Sequence, residues 1–406
     1  MIGVLRNAAY AKLFAAQVIA LLGTGLLTVA LGLLAFDIAG GDAGLVLGTA
    51  LTIKMIAYVG VSPLMAAATA RVPRRALLVT ADLLRAGIAL SLPFIEHTGQ
   101  IYLLVFLLQS ASATFTPAFQ AVIPAVLPNE RQYTSALSLS RLAYDLESLL
   151  SPVLAAALLT VVDYPQLFVG TAIGFAVSAA LVLATALPAM RPAPSAPFRE
   201  RLTRGTRLFL RLPELRGLLA MHLVVAAASA MVIVNTVVLV QGDLGRPQTD
   251  VALLLAAYGA GSMLVALTLP RILDTVSDRA VMVGGATALP VTLAAMATVT
   301  ALAPDALVWA LALAIWALAG AATSLVLTPS SRLLRRSVEE ADLPAAFAAQ
   351  FSLSHACFLV AYPLAGFIGA ASGVAVAAGV LAVLAAAGAA AAHLAWRPPV
   401  ESQARR

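Results

Sequence analysis

Apolar residues run along this chain in twelve long blocks, at roughly 12–36, 44–69, 76–95, 101–123, 136–162, 167–188, 217–240, 251–270, 280–302, 305–328, 345–370 and 373–395. A helix on a soluble core alternates apolar and polar faces, but Leu253 to Leu269 and Val374 to Ala392 are apolar all round. At 1.5 Å per residue, each block is about long enough to cross a bilayer as a helix. The pattern predicts an all-α membrane protein of twelve transmembrane helices.

Arginine marks one side of that membrane. Alternate loops carry Arg71, Arg74, Arg75, Arg131, Arg271, Arg279, Arg332, Arg335 and Arg336, while the intervening loops hold only Arg246 together with Asp42, Glu96, Asp163, Asp243, Asp250 and Asp305. Basic loops are retained in the cytoplasm, so a multi-pass membrane protein with both termini cytoplasmic is expected. Arg6 and Lys12 precede the first block without a small-residue cleavage site, which reads as a retained first span.

Composition sharpens this picture. With 61% hydrophobic and 11% charged residues and a mean hydropathy of +0.96, the solvent for most side chains is lipid. The net charge of +6 sits in membrane-flanking loops, so no nucleic-acid partner is expected. Cys357 is the only cysteine, which excludes a disulfide framework and a thiolate metal site. No phosphate loop, metalloprotease helix, nucleophile elbow or paired-cysteine motif occurs, so neither an enzyme nor a bound cofactor is expected.

The one long polar interruption, 191–216, is rich in Pro and Arg and divides the blocks six and six. The expected domains are 1–190, the basic connector 191–216, 217–396 and a cytoplasmic tail 397–406. Within the connector, Phe198 to Leu215 spaces Arg199, Arg201, Arg204, Arg207 and Arg211 among Leu and Phe. That spacing suits either a basic amphipathic helix on an anionic leaflet or a solvated tether. The halves echo one another. Thr116-Pro117 ends the fourth block and Ser138-Leu139-Ser140-Arg141 opens the fifth; Thr328-Pro329 ends the tenth and Ser352-Leu353-Ser354-His355 opens the eleventh. Pro152 and Pro363 follow, and Arg75-Ala76-Leu77-Leu78-Val79 is matched by Arg279-Ala280-Val281-Met282-Val283.

Six plus six spans, a central basic connector and a basic loop after the second span resemble the major facilitator superfamily of secondary transporters over nearly the whole chain. That loop usually reads Gly-x-x-x-Asp-Arg-x-Gly-Arg-Arg/Lys in the superfamily. Here Arg71, Arg74 and Arg75 fit as a gating loop, while Ala66, Ala70 and Pro73 replace the glycines and the acid of the conformational latch. Ser151-Pro152-Val153-Leu154-Ala155-Ala156 matches part of the antiporter signature of span five. Leu13-Phe14-Ala15-Ala16-Gln17 and the run Leu137 to Pro152 look like the bacterial exporter branch with enterobactin-type, macrolide-type and nickel-resistance members. The resemblance implies two pseudo-symmetric six-helix bundles, alternating access, and a monomer whose partners are protons, the lipid bilayer and a small-molecule substrate. It also implies efflux, and a place in a bacterial inner membrane.

An ionisable group at mid-bilayer costs at least ~2.5–3.5 kcal/mol, so those present are candidates for function. Lys54, Asp82, Arg85, Arg141, Asp145 and Glu147 lie in the first half; the second offers His222, Asn235, Gln350 and His355. Asp82 with Arg85 and Arg141 with Asp145 share helix faces, whereas Glu147 projects away from Arg141 and needs a partner elsewhere, for which Lys54 is the leading choice. Asp145, Glu147, Arg141 and Lys54 are the candidate proton-coupling groups, and Asp82–Arg85 a charge network. A permanent network that orients spans two, three and five is the competing reading. Gln17, Gln109, Gln120, His222, Asn235 and His355 are cavity candidates. The histidines leave open export of a metal cation or chelate, although no metal site is assigned. A transport-inactive scaffold or sensor is the alternative of another class.

Overall fold

The structure, a computed structural model, describes residues 2–39, 43–188 and 196–396. Asp42, the first residues of the connector and the tail 397–406 lie outside them. Among the described residues there is no strand. Thirteen α-helices follow one another in the described residues: α1 Ala8–Ala39, α2 Ala43–Ala68, α3 Arg74–Ser91, α4 Thr98–Val126, α5 Glu130–Leu158, α6 Tyr164–Leu183, α7 Phe198–Arg211, α8 Pro213–Val237, α9 Gln248–Ile272, α10 Asp278–Leu302, α11 Asp305–Ser337, α12 Leu343–Ser372 and α13 Val374–Ala395. In hydrocarbon every backbone N–H and C=O must bond within its own segment, which leaves the helix as the spanning form for such sequences. Among the described residues eleven helices are long and apolar enough to cross a membrane. Short α7 is the connector helix. The twelfth span is α5, whose Arg141, Asp145 and Glu147 lower its apolarity.

Local chemistry sets the ends. The Asn129 side chain accepts from the backbone N–H groups of Arg131 and Gln132 at the start of α5, and Ser277 accepts from Ala280 at the start of α10. Gln100 and His97 form a capping box on α4. Between α12 and α13 the chain turns on Gly373 at φ +87°, a conformation that a side chain would strain.

Several boundaries differ from those read in the sequence. Pro117 and Pro329 do not end their helices; α4 continues to Val126 and α11 to Ser337. Proline removes one backbone donor, but neighbouring helices and hydroxyl side chains make that loss tolerable in a membrane bundle. The repeated serine motifs likewise do not open α5 and α12, which begin at Glu130 and Leu343. The first turn of α5, Glu130-Arg131-Gln132-Tyr133, is polar and escapes a hydropathy reading, whereas α12 opens on the apolar run Leu343-Pro344-Ala345-Ala346-Phe347, so the serine motif lies inside it. The connector is helical over Phe198–Arg211.

By contacts the chain forms two compact units, Met1–Gly205 with Val338–His355, and Thr206–Ser337 with Ala356–Arg406. In the first, α1 packs on α5 and α6, α2 on α4, and α3 on α4 and α6. Its apolar core has one cluster around Tyr10, Leu13, Leu78, Phe119 and Tyr133, and another around Leu34, Ile101, Leu167 and Phe168. In the second, α8 packs on α13, α9 on α11, and α10 on α11 and α13. The pairings of α2 with α4 and of α9 with α11 therefore correspond, as do those of α1 with α6 and of α8 with α13.

Candidate functional site

Glu147 stands on α5 among small side chains of α1. A Cβ added to Gly25 would overlap the Ser151 hydroxyl and come 2.9 Å from Glu147 Oε1, so the absent side chain at Gly25 is what admits the carboxylate. Lys54 of α2 lies within electrostatic range of both Glu147 and His355. Among the described residues Glu147 makes no ion-pair contact. Asp145 differs: it is buried, and Arg141 Nη2 lies 3.0 Å from its Oδ1. One turn of α5 thus holds an ion pair and, on another face, a carboxylate within electrostatic range of Lys54.

Aromatic rings cluster beside Lys54. Lys54 Nζ sits 5.6 Å from the centroid of Tyr58, within the range of a cation–π contact. The Tyr58 hydroxyl donates to Gln109 Oε1 of α4 at 2.9 Å. The His355 ring meets Tyr58 edge-on at 4.7 Å and Phe351 at 4.3 Å, and Phe351 meets Tyr58 at 4.8 Å. His355 Nδ1 lies 2.7 Å from the Phe351 carbonyl oxygen, which as a bond requires the proton on Nδ1. The Ser62 hydroxyl donates to the Ala348 carbonyl and the Ser352 hydroxyl to that of Val59, so α2 and the first turns of α12 are tied in both directions. His355 and Gln350 fall in the stretch of α12 that belongs to the first unit.

Elsewhere in this unit, Gln17 on α1 accepts from Ser140 of α5 at 2.9 Å. Gln120 is half-buried near the end of α4. Asp82 and Arg85 are buried and paired, with Ser178 of α6 donating to Asp82 Oδ2 at 2.7 Å. The Arg85 guanidinium lies between the rings of Phe115 and Phe175, 4.3 and 4.4 Å from their centroids. The pair's three further partners, Ser178, Phe115 and Phe175, come from α4 and α6. Of the loop arginines, Arg71 and Arg75 are exposed, while Arg74 is half-buried.

In the second unit, His222 is buried on α8. Asn235 donates from Nδ2 to the Ala365 carbonyl at 3.3 Å. The two sequence-predicted histidines belong to different units. No group of three metal-ligating side chains occurs among the described residues. The site residues that the sequence reading missed are Tyr58 and Phe351. Their signal was there: Tyr58 follows Lys54 by four residues and Phe351 precedes His355 by four, the spacing that stacks side chains on one helix face.

The sequence matches the family model described as the Major Facilitator Superfamily over residues 13–239 and 218–406. The chain belongs to the major facilitator superfamily. It is a multi-pass membrane transporter with the twelve-helix fold of that superfamily. Solved structures agree on the fold. The human organic anion transporter MFSD10 (TETRAN) superposes with a TM-score of 0.79 at 13% identity, covering 95% of this chain and 99% of that one. For the E. coli fucose:proton symporter FucP the values are 0.71, 14%, 96% and 98%. For a bacterial homologue of the iron transporter ferroportin in an outward-facing state they are 0.77, 13%, 95% and 98%. No curated protein sequence gives a significant match.

Proposed function

We propose that this superfamily member is a proton-coupled antiporter of the bacterial inner membrane that exports small amphipathic molecules by alternating access. The observation that carries the reading is the contrast on α5 between Asp145, which is ion-paired with Arg141, and Glu147, which makes no ion pair among the described residues and lies within electrostatic range of Lys54. A carboxylate in a fixed pair holds its charge, whereas one that shares a gap with an ammonium gains or loses a proton as water reaches the gap. Glu147 is the carrier in this reading. Lys54 stabilises its ionised form, and the Arg141–Asp145 pair positions α5.

A substrate would rest against Tyr58, Phe351 and His355, with Gln109 and Lys54 supplying polar contacts. Aromatic faces next to one acid and one base suit a molecule that joins a ring to a polar group. Coupling to protons has a precedent in this fold, since FucP is a fucose:proton symporter. Efflux rests on the exporter-like sequence of α1 and α5. With no three-residue metal group among the described residues, metal export has no site to favour it.

The test is dye and drug flux in proteoliposomes under an imposed pH gradient. Glu147→Gln should lower gradient-driven flux by about 100-fold while leaving the exchange of substrate for substrate, which moves no net protons. Asp145→Asn should reduce both processes together. If Glu147→Gln keeps the wild-type pH response, the proton assignment is wrong.

A further inference from the structure

At the arginine-rich end of the first unit, a small cleft opens between the end of α2, the start of α3, α7 and the chain around the start of α12. Its charged walls are Arg74, Arg201, Arg204 and Asp342, and Ala66 and Ala70 leave the space between them open. Asp342 is ion-paired with Arg204. That pairing leaves two guanidiniums in excess. Among the described residues Arg74 makes no ion pair, and Arg201 Nε is buried with no hydrogen-bond acceptor. A buried guanidinium N–H without an acceptor is a costly arrangement, and it is unusual unless a further group completes it.

We propose that this cleft binds an oxyanion of the phosphate class. Guanidinium groups offer planar paired donors that match phosphate oxygens, and two of them on different helices surround a tetrahedral anion better than a flat one. Position 70 explains why Arg74 has no carboxylate beside it in its own loop. In the superfamily's loop pattern an acid stands there; here it is Ala70, whose side chain offers Arg74 neither charge nor acceptor. In the second unit the residue in register with Arg74 is Asp278, an acid that Arg332 and Arg336 both engage. The anion comes either from free phosphate or from the headgroup of an anionic lipid in the adjoining leaflet.

Full-length protein in phosphatidylcholine nanodiscs would be titrated with inorganic phosphate by calorimetry. A parallel set, with phosphatidic acid added, would be read by native mass spectrometry for retained lipid. Saturable binding in the first arm identifies free phosphate, and retention in the second identifies a headgroup. Arg74→Gln and Arg201→Gln should each weaken binding by about tenfold or more. Ala70→Asp, which keeps every arginine and adds a carboxylate beside Arg74, should weaken it to a similar degree. Arg207→Gln, exposed on the same helix and outside the cleft, should leave it within about twofold. No saturable binding in either arm, or equal losses in Arg207→Gln and Arg201→Gln, would overturn the proposal.

Discussion

The same helix pair is built in two ways within this molecule. In the second unit α9 and α11 meet through glycines: a Cβ on Gly261 would overlap the Ala317 carbonyl, and one on Gly320 would overlap that of Tyr258. In the first unit the matching pair, α2 and α4, carries a polar bridge from Tyr58 to Gln109 with Lys54 one turn away. Counted from the repeated motifs, Lys54 corresponds to Tyr258, Ala57 to Gly261 and Tyr58 to Ser262. One copy of the repeat has spent this crossing on close backbone contact, the other on side chains that hydrogen-bond and carry charge. Unlike the first unit, the second ties its interior with neutral groups, such as Trp316 donating to Thr236 at 3.0 Å, and keeps its ion pairs near helix ends.

The most severe test of this division concerns a charge that the site does not use. Asp82→Asn leaves Arg85 buried without its counter-ion and should destabilise the fold by about 3–5 kcal/mol, measured by unfolding in mixed micelles. Little loss of stability would mean that the pair is not structural, and the first unit's charges would have to be reassessed together. Next, Gly320→Ala should cost about 1–3 kcal/mol through overpacking. The comparison breaks if Gly320→Ala is harmless while Leu108→Ala, at the matching place on α4, is equally so. Lys54→Met should reduce gradient-driven flux about tenfold and shift its pH profile, with stability near wild type. An unchanged profile would remove Lys54 from the coupling. Smallest is Tyr58→Phe, which keeps the ring and loses the bond to Gln109, for about 0.6 kcal/mol of stability. Its effect on apparent substrate affinity should exceed its effect on unfolding.

Hydropathy made the twelve spans readable because lipid allows few alternatives to an apolar helix. It failed where helices leave the membrane. The extension of α11 through Ser330 and Arg332 to Ser337 is polar, so no hydropathy reading could find it, yet it positions the arginines that hold Asp278. Pairs within one helix, such as Arg141 with Asp145, followed from spacing alone. Contacts across helices did not. Nothing in the sequence shows that Arg85 lies between Phe115 and Phe175, or that Asp342 reaches Arg204, because both depend on tertiary packing. Glu147 is an intermediate case: helical geometry separates it from Arg141, and an ammonium such as that of Lys54 suits a carboxylate that exchanges a proton, but spacing alone does not bring α2 and α5 together.

The polar character of α5 bears on how the protein is made. A helix emerging from the ribosome partitions into the bilayer by its own apolarity, and ionised residues near its centre oppose that transfer. With Arg141, Asp145 and Glu147 along it, α5 is a weak entrant by itself. Gly25 and Gln17 on α1 already await its side chains when it arrives. The groups that equip this helix for its work thus make its biogenesis depend on the first-synthesised helix, and a nascent chain altered in α1 would strand α5 at the membrane surface.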